Sequence, residues 1–206
     1  MTRIAIFDFG AGNLFSLHQS LLRNGAQTVD IIRTLDGLEK YDGLVLPGVG
    51  NFDSAISSVQ KDAVTLNTAV NDGLPILGIC LGLEMLFNKS EEGILDGLKV
   101  LEGEVLMLPR KRVKVPHMGW NNLRIVMTDC KLLKGIPQDS WVYFVHSYHI
   151  EPKDEKLIAA TTDYGSKLPV VVERYNLFGT QFHPEKSGKI GAQIMKNFVN
   201  VCDKNE

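Results

Sequence analysis

A chain of 206 residues is long for one domain and short for two, so a single domain over positions 1–206, with room for an insertion, is the expected organisation. Lys plus Arg number 22 and Asp plus Glu 24, a formal net charge of −2 with the five His neutral, which argues against a nucleic-acid or anionic-membrane binder because both depend on a positive field. With 44% hydrophobic and 22% charged residues the composition is that of a packed globule, and three cysteines (80, 130 and 202) without a CxxC pair fit neither a disulfide framework nor a cysteine zinc site, but a reducing cytoplasm.

The N-terminus reaches Asp8 after only a few apolar residues, far short of a secretory signal, and no uncharged apolar run approaches the roughly 20 residues of a membrane span. Residues 3–9 read as a buried strand, Gly10-Ala11-Gly12 as a tight turn and 13–24 as a helix stopped by Gly25. Strands follow at 28–32 and 43–46, then a long helix over 52–71 with Ala55, Ile56, Val59, Ala63 and Val70 among its apolar positions. A fourth strand over 75–79 runs through Cys80 into a helix over 81–89. Strand, turn and helix in repetition predict a parallel sheet with helices on its faces. After Gly93 the pattern is strand-rich, with runs at 100–108, 123–127, 141–147, 157–162, 169–175 and 177–182, expected as antiparallel additions to that sheet. Ile190, Ile194, Met195, Phe198, Val201 and Cys202 recur at helical spacing, so an amphipathic helix over 187–202 closes the chain.

Three segments carry chemistry. In Gly78-Ile79-Cys80-Leu81-Gly82 a cysteine stands where a strand turns into a helix, flanked by glycines that leave room for a cramped backbone, which is the elbow arrangement of nucleophiles. The helix start beside it favours a thiolate and offers free N–H groups to an oxyanion. Taken alone, Cys80 reads sooner as a small buried hydrophobe, and the flanking glycines bring the two readings level. Phe182-His183-Pro184-Glu185 follows a strand, so His183 can face Cys80 across the carboxyl edge of the sheet as a base while Glu185 orients it; a solvated loop histidine is the plain alternative. Leu46-Pro47-Gly48-Val49-Gly50-Asn51-Phe52 is a glycine-rich turn whose backbone, at Val49, can donate to an oxyanion together with Leu81, unless it is an ordinary strand-to-helix loop. No Walker lysine follows it and no GxGxxG is completed, which argues against phosphate binding.

PGVGNF, GICLGLEML and FHPEKS, in this order and spacing, resemble the class I (triad) glutamine amidotransferases. DFGAGNL at 8–14, PHMGWN at 116–121 and FVHSY at 144–148 are similar to the glutaminase subunits of imidazole glycerol phosphate synthase, and the motifs span the chain from first strand to last helix. The resemblance implies a flavodoxin-like amidotransferase fold with a mostly parallel central sheet and helices on both faces. It implies that Cys80 attacks the side-chain amide carbon of L-glutamine, with His183 relaying protons and Glu185 orienting it, and that an oxyanion loop falls on Gly48, Val49 and Gly50 with Leu81 as second donor. It puts the glutamine pocket on Gly50, Glu84, Glu92, Ser147 and Tyr148, and implies neither cofactor nor metal. The partner it implies is a (β/α)₈-barrel cyclase subunit that receives the ammonia within a heterodimer, with Asn13, Trp120, Tyr143 and Lys186 at the contact.

One position departs from the family. Glu84 stands four residues after the nucleophile, where the family usually has Gln; one helical turn on from Cys80, a carboxylate there would enter the pocket, repelling the substrate carboxylate and attracting its ammonium group. The basic run Arg110-Lys111-Arg112-Val113-Lys114 reads as an exposed strand edge or loop, with a partner-facing patch as the alternative and phosphate binding a remote third; Met118 and Trp120 fit either core or interface. Competing assignments are the glutaminase of another synthase such as pyridoxal phosphate synthase, a non-catalytic binding module of the same fold, and a stand-alone cysteine hydrolase.

Overall fold

The computed structural model describes residues 2–10 and 12–203; Ala11 of the expected Gly10-Ala11-Gly12 turn, Met1 and residues 204–206 lie outside the described residues. The first half follows the expected alternation: β1 (Arg3–Phe7), α1 (Leu14–Arg23), β2 (Thr28–Ile32), β3 (Gly43–Leu46), α2 (Phe52–Val59), α3 (Ala63–Asn71), β4 (Ile76–Ile79) and α4 (Leu81–Glu84). The second half contains β5 (Lys89–Ser90), β6 (Gly103–Met107), β7 (His117–Asn122), β8 (Arg124–Ile125), β9 (Trp141–His146), β10 (Tyr148–Pro152), β11 (Ile158–Asp163), β12 (Lys167–Arg174), β13 (Leu177–Thr180) and α5 (Gly188–Cys202).

An eight-stranded sheet runs in the order β2-β1-β3-β4-β13-β12-β11-β8. Its first five strands pair in parallel and β12, β11 and β8 add antiparallel. Alternate residues of the parallel strands feed two cores, as expected for strands covered on both faces. Ile4, Ile6, Val45, Leu77 and Ile79 pack with Leu17 and Leu21 of α1 and with Ile194 and Phe198 of α5. On the opposite face Ala5, Phe7, Leu44, Leu46 and Ile76 pack with Phe52 and Ile56 of α2 and Leu66 of α3.

The differences from the sequence reading have local causes. The long helix expected over 52–71 is two helices separated by a short 3₁₀ segment, Gln60–Asp62, where the buried Asp62 accepts a hydrogen bond from the Thr34 hydroxyl. The helix expected over 81–89 stops after one turn because residues 98–101 take over the carbonyls that would continue it: Leu98 N–H donates to Met85, and Val100 and Leu101 both donate to Leu86. The second half does not only add to the main sheet. β13 returns parallel beside β4, while β10-β6-β5 and β7-β9 form two small separate sheets. Strands β7 and β10 fall where no strand was expected; β7, rich in Gly and Asn, is extended because it pairs along its whole length with β9, from His117↔His146 to Asn122↔Trp141.

Candidate active site

Three loops meet at one sheet edge because their strands are neighbours: β3 and β4 pair at Leu46↔Gly78, and β4 and β13 pair at Gly78↔Gly179. The segments leaving their carboxyl ends are 47–51, Cys80-Leu81 and 181–186, so the sheet itself brings the glycine-rich turn, the cysteine and the histidine together. Cys80 is the elbow. Its backbone takes φ 52° and ψ −111°, its N–H donates to the Thr180 carbonyl at 2.7 Å, and its carbonyl accepts from Leu83 and Glu84 at 3.0 Å to start α4. A non-glycine residue in that region costs about 1–3 kcal/mol, and the flanking glycines are what make it possible. A Cβ on Gly78 would press on Gly82 and Leu83, and one on Gly82 would collide with the carbonyls of Leu46 and Pro47.

His183 and Glu185 are paired at 2.9 Å between Nδ1 and Oε1. A carboxylate only accepts, so Nδ1 carries the proton and Nε2 keeps a lone pair. The backbone of His183 is braced by β9: its N–H donates to the Tyr143 carbonyl at 3.0 Å, and the Ser187 hydroxyl donates to the His183 carbonyl at 2.7 Å while accepting from Tyr143 N–H at 3.0 Å. Nε2 is buried and without a hydrogen-bond partner. The Cys80 thiol instead donates to the Val145 carbonyl at 3.8 Å, so the expected nucleophile and base share an edge without the Sγ–Nε2 hydrogen bond. Burial, and after it the Glu84 carboxyl, push the Cys80 thiol far above the usual thiol range; Glu185 adds to this, while the Leu81 N–H and the Gln181 amide work against it.

A cavity of about 290 Å³ opens onto Cys80. All five residues expected in the glutamine pocket, Gly50, Glu84, Glu92, Ser147 and Tyr148, line it, as do Val49, Leu81, Pro116, Val145 and His146. Glu84 is 4% exposed and accepts from the Gln181 amide at 2.8 Å. Burial pushes its carboxyl up to about 8, so near neutral pH it is mostly the uncharged acid. That replaces the charge-based expectation for this position: a carboxylic acid has nearly the shape and hydrogen-bonding capacity of the amide it substitutes. Glu92 accepts from Phe52 N–H at 2.9 Å at the start of α2, and burial raises its carboxyl as well. Asp53 answers by accepting from Ile94 and Leu95 N–H at 3.0–3.1 Å, which ties the loop carrying Glu92 to the helix.

On the other side of Val49, Gly48, Asn13 and Lys186 surround a small hollow shared with His183 and Glu185. Gly50 takes φ 119°, a conformation that leaves the 48–50 backbone to glycine's freedom. Asn13 and Lys186 are exposed, and Asn13 also caps α1 by accepting from Ser16 N–H at 3.1 Å. Met118 and Trp120 are 62% and 51% exposed, so neither is a core residue. Trp120 sits opposite Tyr143 across the β7–β9 pair, ring centres 5.9 Å apart. The basic run 110–114 forms an exposed turn, anchored where the Tyr164 hydroxyl donates to the Lys114 carbonyl at 2.7 Å.

Sequence reasoning missed Gln181, fully buried between the Cys80 and His183 loops, whose amide reaches Glu84 and, at 3.9 Å, the Cys80 sulfur. Its signal was an amide side chain at the end of the run 177–182, directly before the histidine segment. It also missed Val145 and His146, whose roles come from a strand pairing that composition does not reveal. A larger hollow of about 670 Å³ lies between 125–138 and the end of α5. It is lined partly by Cys130, whose thiol burial also pushes up, and no histidine is among its lining residues. Among the described residues no cluster of three or more His, Cys, Asp or Glu is placed to hold a metal ion, and no helix is long and apolar enough to cross a membrane.

Residues 5–202 match the family model for glutamine amidotransferase class I. The chain is 46% identical over 201 residues to the imidazole glycerol phosphate synthase subunit HisH of Synechococcus sp. (strain JA-3-3Ab), covering 96% of this chain and 93% of that one. It is also 46% identical over 200 residues to the subunit of the same name from Methanocaldococcus jannaschii, covering 96% and 99%. Among solved structures, a chain of PurLQS from Thermotoga maritima superposes with a TM-score of 0.80 at 18% identity, covering 98% of this chain and 99% of that one; at that identity the likeness concerns the fold.

Proposed function

The chain belongs to the class I glutamine amidotransferase family, among the HisH glutaminase subunits of imidazole glycerol phosphate synthase in histidine biosynthesis, and from that premise we propose how its residues divide the work. Cys80 Sγ attacks the side-chain amide carbon of L-glutamine, and His183 Nε2 takes the thiol proton and returns it to the departing nitrogen, so that ammonia leaves and a γ-glutamyl thioester remains. Water, deprotonated by the same Nε2, attacks the thioester carbonyl; the thiol is regenerated and L-glutamate released. Glu185 holds the Nδ1–H tautomer throughout and balances the imidazolium. The oxyanion of each tetrahedral intermediate accepts from the N–H groups of Leu81 and Val49, with Gly48 and Gly50 giving that loop its freedom.

L-Glutamine sits against Gly50, Glu84, Glu92, Ser147 and Tyr148. Ammonia passes to a (β/α)₈-barrel cyclase subunit docked on Asn13, Trp120, Tyr143 and Lys186, which forms imidazole glycerol phosphate and aminoimidazole carboxamide ribotide. A closed passage suits this, because near neutral pH free ammonia is mostly ammonium and lacks the lone pair needed to attack. The reading places one domain over 1–206 in the cytoplasm, and its chemistry uses side chains and water without a cofactor. The observation that carries it is the shared cavity: five pocket residues and Cys80 line one hollow, and the His183–Glu185 pair stands at the next strand end.

The test supplies a cyclase subunit with either glutamine or an ammonium salt. Cys80→Ala is expected to abolish glutamine-dependent turnover and leave ammonium-dependent turnover intact. Residual glutaminase activity in that variant would remove Cys80 as the nucleophile, and high activity of the isolated chain would favour a stand-alone hydrolase.

A further inference from the structure

Two histidines outside the Cys80–His183–Glu185 set form a buried pair behind the glutamine pocket. His117 of β7 and His146 of β9 are 4% and 5% exposed, and His117 Nδ1 lies 2.9 Å from His146 Nε2. At the far end His146 Nδ1 lies 2.7 Å from the Tyr148 carbonyl. At the near end the Asn121 amide nitrogen lies 3.5 Å from His117 Nε2.

The polarity of this chain is fixed from both ends. A carbonyl only accepts, so His146 carries its proton on Nδ1 and offers the bare Nε2 to its neighbour. His117 must then donate from Nδ1, leaving its own Nε2 as an acceptor. The Asn121 amide is oriented independently: its oxygen accepts from Asn122 N–H at 2.8 Å, and its nitrogen donates to the Asp163 carbonyl at 3.0 Å. The nitrogen is therefore the atom that faces His117, and it is a donor, as the relay requires. A charged ring at either position would set one N–H against another. Burial agrees, holding His117 down to about 4 and His146 to about 3. The His117 ring is clamped between Phe144 and Tyr164, ring centres 4.6 and 3.8 Å away.

The relay ends on the wall of the glutamine pocket. Residues 145–148 join β9 to β10 and all four line the cavity that holds Cys80. Within them the Val145 carbonyl accepts from the thiol, and the Ser147 carbonyl accepts from Leu108 N–H at 3.0 Å. The His146 ring bridges the turn by bonding the residue two positions on. We propose that His117 is a positioning residue for glutamine binding: through the directed relay Asn121 to His117 to His146 to the Tyr148 carbonyl, it holds the 145–148 wall in the shape that receives the substrate. The inference rests on the glutaminase reading above.

Its test has two arms. In ¹⁵N-edited imidazole spectra of the full chain, both rings should show a protonated Nδ1 and a bare Nε2 from pH 6 to pH 8; an Nε2–H tautomer or a cation at either ring overturns the relay. In the complex with a cyclase subunit, His117→Phe keeps a stacked ring but deletes the donor, and a buried acceptor left unpaired should raise KM for glutamine about tenfold with kcat changed less than about twofold. His117→Asn, whose amide nitrogen reaches the Nδ1 position, should recover most of that loss. Ammonium-driven turnover should match the wild type in both variants, which separates the effect from misfolding. An unchanged KM in His117→Phe, or a fall in kcat alone, overturns the positioning role. Failure of the glutaminase reading is distinguishable, since it would appear in Cys80→Ala while the ring tautomers still report on the relay.

Discussion

Glu84→Gln isolates the strangest group in the pocket, a carboxyl that is 4% exposed and whose hydrogen-bond partner is the Gln181 amide. Burial raises it from an ordinary 4.5 to about 8. A carboxyl raised on folding helps the native state below its unfolded value, and that stability is lost as pH rises through the interval up to the folded value. Between those limits the loss runs at about 1.4 kcal/mol per pH unit, so from pH 5 to pH 8 the wild-type chain should lose about 3 to 4 kcal/mol that the glutamine variant keeps. Every other group titrates in both chains and cancels in the difference. Urea unfolding of both proteins at pH 5, 6.5 and 8 measures it, provided the m-values agree. The variant should gain steadily on the wild type with rising pH. A gap that stays constant to within about 1 kcal/mol across that range would refute the raised carboxyl and the account of Glu84 as an uncharged stand-in for an amide. The same reasoning makes the wild-type kcat/KM for glutamine fall relative to that of the variant above pH 8, because ionised Glu84 would also oppose a thiolate at Cys80.

Three further substitutions probe the elbow, the base and the outer face. Gly82→Ala sets a methyl against the backbone carbonyls of Leu46 and Pro47, which cannot swing aside as a side chain does; the variant should lose at least about 2 kcal/mol in urea unfolding. Glu185→Ala leaves the His183 Nδ1–H without its 2.9 Å acceptor and frees the ring to take the other tautomer, so glutamine-dependent kcat should fall by about 10²-fold or more while ammonium-dependent turnover persists. Trp120→Ala removes a half-exposed ring that contacts Tyr143 but no core layer; it should weaken binding to the cyclase subunit about tenfold or more and leave the melting temperature of the free chain unchanged.

Much of the parallel half was legible because its signals are local. Strands such as 43–46 are continuously apolar, being covered on both faces, and Gly25 and Asn13 mark the ends of α1 in the sequence itself. The Cys80 elbow was legible for the same reason: glycines on either side are the local requirement of a backbone at φ 52°. What escaped was set by distant partners. The helix begun at Leu81 ends after a turn because residues 98–101 claim its carbonyls, and β7 exists because β9 lies beside it. Glu84 was read as a charge, since composition cannot tell that a carboxyl will be shut away with an amide.

Position and reactivity are separate achievements at this site. The sheet delivers position: two adjacent strand ends carry Cys80 and His183, and Glu185 fixes the imidazole so that Nε2 is the basic atom. Reactivity asks for a thiolate, and burial opposes one, as do Glu84 wherever it is ionised and Glu185, while the Leu81 N–H and the Gln181 amide favour it. The proposed chemistry therefore requires the thiol to leave the Val145 carbonyl for Nε2, where its proton passes to an imidazole whose positive charge Glu185 already faces. Burial still opposes separated charges there, and the contact between them offsets part of that cost. The same low-polarity surroundings that keep an isolated thiol protonated strengthen a thiolate–imidazolium pair, and they keep Glu84 neutral so that no third charge opposes it. The carbonyl that holds the thiol belongs to the 145–148 wall of the proposed glutamine pocket, so whatever shapes that wall for substrate also decides which partner the thiol meets.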